Sequence, residues 1–102
     1  MKAYKLRFLP LLEDDLNQIV DYICFHLENP KAASELVAEV FEAISRRLPC
    51  AESFEAYHER KVRRLRYYRI YVKNYIIFYV VDGHVMEVRR ILYGCRDWTQ
   101  LL

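Results

Sequence analysis

The chain has 102 residues, of which 54% are hydrophobic, with only two glycines and three prolines. That length fits a single domain covering residues 1–102, and the composition excludes a disordered chain. The formal net charge of +2 hides two oppositely charged parts. Residues 11–59 contain three basic and eleven acidic residues (net −8), whereas the remainder contains thirteen basic and three acidic residues (net +10). This asymmetry indicates a nucleic-acid surface or an acidic protein partner, unless the charges only solvate the fold.

The cysteines and histidines argue against a metal site. Cys24, Cys50 and Cys95 cannot all pair and show no Cys-x-x-Cys spacing, which favours a reducing, cytoplasmic setting. The three histidines lie far apart in the sequence. No apolar run approaches the roughly 18–20 residues of a membrane span, and Lys5 and Arg7 interrupt any signal-peptide core. We therefore expect no cofactor, no metal and no membrane segment.

The beginning of the chain predicts one strand and one helix. Residues 4–8 alternate apolar with basic side chains, which is typical of a half-buried strand. Pro10 ends that strand and suits the first turn of a helix. Asp14 and Asp15 lie near the helix N-terminus, which favours a role in helix-end electrostatics over general acid chemistry. The apolar stripe of this helix consists of Leu12, Leu16, Ile19, Val20, Ile23 and Leu27.

A second helix follows after a short loop. Asn29-Pro30 ends the first helix and begins the second, which Pro49 closes. Arg46 and Arg47 lie in its last turn, where the helix dipole favours cations. Its apolar stripe consists of Ala33, Leu36, Val37, Val40, Ile44 and Leu48. The short loop predicts an antiparallel helical hairpin.

The C-terminal half predicts three strands after a loop over residues 50–60. The strands are Leu65–Lys73, Tyr75–Val81 and His84–Tyr93. The middle strand is apolar or aromatic throughout, so we expect it to be central and covered on both faces. Asp82-Gly83 accepts the positive φ angles of a tight hairpin turn. The order β-α-α-β-β-β predicts an α+β fold, a helical hairpin packed on a mainly antiparallel sheet.

Two groups of side chains in this half are candidates for binding. The basic run consists of Arg60, Lys61, Arg63, Arg64 and Arg66. It suits phosphate or an acidic protein segment about as well as a plain solvated face. The tyrosines of the strands are Tyr67, Tyr68, Tyr71, Tyr75 and Tyr79. They could stack on bases, although aromatic residues in strands more often form the core and cross-strand pairs. We expect His84, beside the hairpin turn, to be exposed.

Several short motifs occur in a characteristic order. Asn29-Pro30 precedes a pair of alanines at the start of the second helix, and Tyr75–Val81 is followed by a strand that contains Ile91-Leu92 near its end. Tyr93-Gly94 then precedes a small residue and Arg96. This arrangement resembles the RelE/ParE superfamily of bacterial toxin–antitoxin toxins over nearly the whole chain. The C-terminal end is similar to that of ParE-like members.

The resemblance implies a small toxin that is neutralised by an antitoxin encoded beside it. ParE-like members poison DNA gyrase, whereas RelE-like members cut mRNA inside the ribosome using basic residues and a tyrosine on the sheet. For a nuclease, the resemblance assigns this chemistry to Arg69, Arg96 and Tyr93. Ile76 stands where an arginine is expected, and no tyrosine lies near Leu102. These departures favour a non-enzymatic inhibitor of a protein target such as gyrase, with a ribosome-dependent mRNA endoribonuclease as the alternative.

Arginines at the end of the final strand complete the expected interaction surface. Arg90 matches a position where ParE-like sequences often keep an arginine, and a planar guanidinium can bind carboxylate or phosphate in two places. Internal pairing with Glu87 or Asp97 is the alternative. The residues expected to bind the target or antitoxin are Arg60, Lys61, Arg63, Arg64, Arg66, Arg69, Arg90, Arg96 and Trp98. We expect an antitoxin whose acidic, amphipathic segment covers the basic surface of the sheet or the groove beside the helices.

Overall fold

The computed structural model describes residues 3–54, 56, 64–94 and 102. Its elements follow the predicted order β-α-α-β-β-β. They are β1 (Lys5–Phe8), α1 (Pro10–Asp21) with a π-helical turn (Tyr22–His26), α2 (Pro30–Arg47) with a 3-10 turn (Leu48–Cys50), β2 (Tyr68–Val72), β3 (Tyr75–Asp82) and β4 (Val85–Tyr93). The predicted α+β class is therefore confirmed.

The four strands form one mixed sheet with the order β1-β4-β3-β2. β2, β3 and β4 pair in antiparallel fashion, and β1 pairs parallel to β4. β3 lies inside the sheet and residues 76–80 are all buried, so the prediction of a central strand covered on both faces is confirmed. The two helices pack on one face of this sheet.

Helix α1 begins as predicted but ends differently. Pro10 occupies its first turn, and Leu12 and Ile23 are buried. The Leu27 N–H bonds the Tyr22 carbonyl at 3.1 Å, five residues back, which is the π-helical pattern. The wider turn moves the following residue off the apolar stripe. Leu27 is exposed, so its predicted place in the core was wrong.

Helix α2 follows the prediction closely. The Asn29 side chain accepts a hydrogen bond from the Ala32 N–H at 3.1 Å, and Pro30 occupies the first turn. This is a regular N-cap, which satisfies one of the free N–H groups of the first turn. The buried residues of this helix are Ala33, Leu36, Val40 and Ile44. Its apolar stripe therefore points to the sheet, as the spacing predicted.

The two hairpin turns differ in detail from the sequence prediction. Asp82 is the last residue of β3 and pairs with Val85, so the turn consists of Gly83 and His84. Gly83 has φ +62°, which fits the first central position of a type II′ turn. Lys73 holds the corresponding place between β2 and β3, with φ +53°. The predicted strand Leu65–Lys73 was therefore too long at both ends, and His84 is exposed, as expected.

Apolar residues cover both faces of the sheet. The face toward the helices carries Ile70, Val72, Ile77, Tyr79, Met86, Val88 and Ile91. The opposite face, called the far face below, carries Tyr67, Ile76, Phe78, Val80 and Leu92, with Leu65 and Leu102 packed against them. Phe8 of β1 packs against the core, as does Tyr4, which lies just before the strand. Leu6 is exposed, so the prediction of a half-buried strand holds only in part. No helix in the described part of the chain is long and apolar enough to cross a bilayer.

Candidate functional site

The expected interaction residues divide into two groups. Arg64, Arg66, Arg69, Arg90 and Tyr93 lie in the described part of the chain. Five others lie outside the described residues: Arg60, Lys61, Arg63, Arg96 and Trp98. At the end of the basic run, Arg64 and Arg66 are exposed. The Arg64 guanidinium lies 3.7 Å from the Asp82 carboxylate, an exposed pair of the kind that contributes little to stability.

Arg69 and Tyr93 do not converge. Tyr93 pairs with Tyr75, which in turn pairs with Val72, a residue packed toward the helices. Arg69 pairs with Phe78, which belongs to the far face. Because side chains alternate between the faces of a sheet, Arg69 and Tyr93 point to opposite sides. The described residues thus do not bring together two of the three groups that a nuclease of this type would use.

The strand tyrosines are mostly structural. Tyr79 is fully buried, donates a hydrogen bond to the Ala51 carbonyl at 2.7 Å and accepts one from Arg47 at 3.0 Å. Burial raises the pKa of this phenol above 10.0. Tyr68 stacks on it, with ring centroids 5.2 Å apart. Tyr71 differs, since it is 63% exposed beside the Arg69 guanidinium. Tyr71 is therefore exposed enough to stack on a base, as the sequence analysis considered for the strand tyrosines.

Arg90 forms a paired contact with helix α1 that sequence reasoning missed. Its Nε and Nη2 donate to the two carboxylate oxygens of Asp15 at 2.7 and 2.8 Å. The Asp15 carboxylate also accepts the Ile91 N–H at 3.2 Å. The Asp15 hydrogen bond holds the pKa of Arg90 above its ordinary value. Asp15 is thus a tertiary contact, where the sequence suggested helix-end electrostatics, and it is a partner of Arg90 that the sequence did not suggest. Of the two carboxylates considered, Asp97 lies outside the described residues.

The position of this contact follows from the short first strand. β1 pairs only with the stretch Val85–Val88, so within the described part of the chain the rest of β4 has no strand on that side. Helix α1 runs beside it, and Asp15 takes the Ile91 N–H that a longer strand would bond. A carboxylate that binds both a backbone N–H and a guanidinium satisfies the exposed edge of β4 and fixes the helix to it.

A second basic cluster lies on the far face and was not among the expected site residues. Arg7 and Glu87 are direct partners in the parallel pairing of β1 and β4, and Arg89 is two residues further along β4. The Glu87 Oε2 atom lies 3.2 Å from Arg7 Nη2 and 3.6 Å from Arg89 Nη2. The Arg89 guanidinium also lies 5.8 Å from the centroid of the Tyr67 ring. The only sequence signal for this cluster was the alternation of Glu87 and Arg89.

Two grooves open on the helix side. One, of about 610 Å³, lies between the π-helical turn and the ends of β3 and β4; Tyr22, Tyr75 and Tyr93 are among its lining residues. The other, of about 560 Å³, lies between α2 and the edge strand β2, and its lining includes Arg46 and Arg47. Among the described residues, no three His, Cys, Asp or Glu side chains are placed to hold a metal ion.

Comparison with known proteins defines the class of this chain. Residues 6–98 match the family described as "ParE toxin of type II toxin-antitoxin system, parDE". Since the match covers nearly the whole chain, the protein belongs to this family of toxins. Among solved structures, it is similar to a chain of the "Chromosomal ParDE TA system from P. aeruginosa", with a TM-score of 0.73 and 19% identity. That alignment covers 89% of this chain and 96% of the other, and at this identity it supports the fold alone. No curated protein matches.

Proposed function

We propose that this ParE family member is a growth-inhibiting toxin that acts by binding a protein target, with DNA gyrase as the first candidate. The family match over residues 6–98 carries the proposal. The sheet geometry supports a non-enzymatic action, because Arg69 and Tyr93 lie on opposite faces. Cleavage of RNA through its 2′-hydroxyl needs a base, an acid and a cation close to one phosphate.

Two assays with the same purified chain test this proposal. The first measures supercoiling of relaxed plasmid by gyrase, and the second measures mRNA cleavage in a reconstituted translation reaction with ribosomes. We expect inhibition of supercoiling and intact mRNA. Cleavage that depends on ribosomes, together with unaffected supercoiling, would establish the endoribonuclease instead. The variant Tyr93→Phe is informative in the second assay, because only a catalytic phenol predicts loss of cleavage.

We further propose that an antitoxin encoded beside this chain neutralises it in the cytoplasm. The basic character outside residues 11–59 supports an acidic, amphipathic segment as the binding element. Co-expression of the neighbouring small reading frame should restore growth. Binding of the two purified proteins should weaken as salt rises, because exposed charges are screened over about 8–10 Å at physiological ionic strength. An affinity that is equal at low and high salt contradicts electrostatic docking.

A further inference from the structure

We propose that Arg89, together with Arg7, forms a binding site for one carboxylate of an acidic protein segment on the far face of the sheet. The proposal rests on the proposed function only because both take a protein as the binding partner. The first step is geometric. The parallel register places Arg7 directly beside Glu87, and strand alternation places Arg89 next to Glu87 on the same side. Both guanidinium groups therefore approach a single carboxylate oxygen.

The second step is the incomplete hydrogen bonding of Arg89. A guanidinium has five N–H donors. Among the described residues, the Arg89 Nε is buried and has no hydrogen-bond partner. Its contact with Glu87, at 3.6 Å, is an ion pair that is longer than a hydrogen bond. Buried polar groups in folded proteins are nearly always hydrogen-bonded, so an arginine in this state needs an explanation. A ligand at the outer N–H groups does not reach this atom, but it pairs the guanidinium charge that, among the described residues, Arg89 otherwise balances only against Glu87, which it shares with Arg7.

The third step is the β-bulge that aims this side chain. Tyr79 pairs with Val88 and Phe78 pairs with Arg90, so Arg89 is the extra residue of β4. Bulges of this kind redirect a side chain and are frequent beside functional sites. The side chain of Arg89 is 29% exposed although its Nε is buried. The exposed surface of this side chain therefore lies at atoms other than Nε.

Charge and shape identify the ligand. Two arginines share one carboxylate that is 9% exposed, which leaves one positive charge on the cluster. One planar anion matches the fork of a guanidinium and neutralises that charge. A nucleic-acid strand gains affinity from several phosphates in a row, whereas these two cations converge on one point. A carboxylate of a protein partner is therefore the better match, and arginines of this type are frequent energetic centres of protein interfaces.

The test uses the full chain and a synthetic peptide of four Glu-Leu repeats, with blocked ends, as the carboxylate probe. A single-stranded oligonucleotide of equal net charge is the phosphate probe. We expect Arg89→Met to weaken peptide binding about tenfold or more, as the loss of a charge-assisted hydrogen bond predicts. The matched control is Arg46→Met, which removes the same charge from an exposed ion pair with Glu42 on helix α2. It should leave affinity within about twofold, since that pair is screened by solvent.

A second variant tests the direction of the effect. Glu87→Gln removes the competing negative charge, so it should strengthen peptide binding, whereas a purely structural cluster predicts no gain. Equal effects of Arg89→Met and Arg46→Met, preference for the oligonucleotide, or absence of peptide binding each overturn the proposal. Circular dichroism melts show whether each variant is folded. If Arg89→Met is not folded, Arg89→Lys replaces it, because an ammonium lacks the fork of a guanidinium and should also weaken peptide binding. The supercoiling assay is run separately, so failure of the gyrase proposal is distinguishable.

Discussion

The contact between Arg90 and Asp15 gives the most quantitative prediction for this protein. The variant Arg90→Ala removes two charge-assisted hydrogen bonds and leaves the Asp15 carboxylate, 11% exposed, with only the Ile91 N–H as a partner among the contacts described above. Breaking a buried pair by removing one partner costs about 3–5 kcal/mol, and hydrogen bonds to charged groups contribute about 1.5–3 kcal/mol. We expect a loss of about 3 kcal/mol in the free energy of unfolding, since both side chains keep some exposure.

The measurement is a double-mutant cycle. Arg90→Ala, Asp15→Ala and the double variant are unfolded by urea and by heat, and the coupling energy should be about 1–3 kcal/mol. A loss of about 3 kcal/mol corresponds to a fall of roughly 12–24 °C in melting temperature for a domain of this size. Arg64→Ala is the control because its ion pair with Asp82 is exposed, and it should change stability by less than about 1 kcal/mol.

Toxicity separates the two possible roles of Arg90. If this arginine acts through the contact with Asp15, then both Arg90→Ala and Asp15→Ala lower growth inhibition in proportion to the folded fraction. If Arg90→Ala abolishes growth inhibition while its melting curve is unchanged, the structural reasoning is refuted. In that case the guanidinium contacts the target, one of the two binding roles that the sequence suggested.

Three further predictions concern single side chains. Tyr79→Phe should cost about 1–3 kcal/mol at neutral pH, because the Ala51 carbonyl loses its donor. Burial raises the folded-state pKa of Tyr79 above the unfolded-state value of 10.0. The stability that this pKa difference contributes is therefore present below pH 10.0 and is lost as the pH rises through the folded-state pKa. Melts of Tyr79→Phe at alkaline pH should lack this loss. Gly83→Ala should cost about 1–2 kcal/mol from backbone strain at φ +62°. An added Cβ meets no atom within 4 Å, so no steric clash adds to this cost. An unchanged urea midpoint contradicts this prediction. Asn29→Ala should lower stability by about 1 kcal/mol in the same unfolding experiment, while Asn29→Asp retains the cap.

The parts of the fold that sequence predicted are those with local signals. Helix α2 has a capping residue, a proline in its first turn, an apolar stripe and basic residues in its last turn, all within a continuous segment. Strand β3 is recognisable because its residues are apolar without interruption. In each case the physical cause lies within one element, so no knowledge of the tertiary structure was needed.

The features that sequence missed depend on distant register. Leu27 was placed in the core because a regular helix was assumed, and the extra residue of the π-helical turn rotated it outward. The contact of Asp15 with Arg90 joins residues 75 positions apart and exists because β1 stops at Phe8. The cluster of Arg7, Glu87 and Arg89 requires the parallel pairing of the first and last strands. The first two have no signature in the local pattern, and the alternation of Glu87 and Arg89 alone does not reveal their contact with Arg7.

Adjacent arginines on β4 show why counts of basic residues are a poor guide to binding sites. Arg89 and Arg90 are equivalent in sequence, yet the β-bulge separates their surroundings. Arg90 donates two hydrogen bonds to the Asp15 carboxylate, whereas Arg89 keeps a buried Nε without a partner among the described residues. A cation already satisfied within the fold must break that contact before it binds a partner, and the energy of the contact then opposes binding. Arg89 has a looser contact to exchange, the 3.6 Å ion pair with Glu87, so this cost is smaller and we expect binding energy on the far face to be concentrated at Arg89.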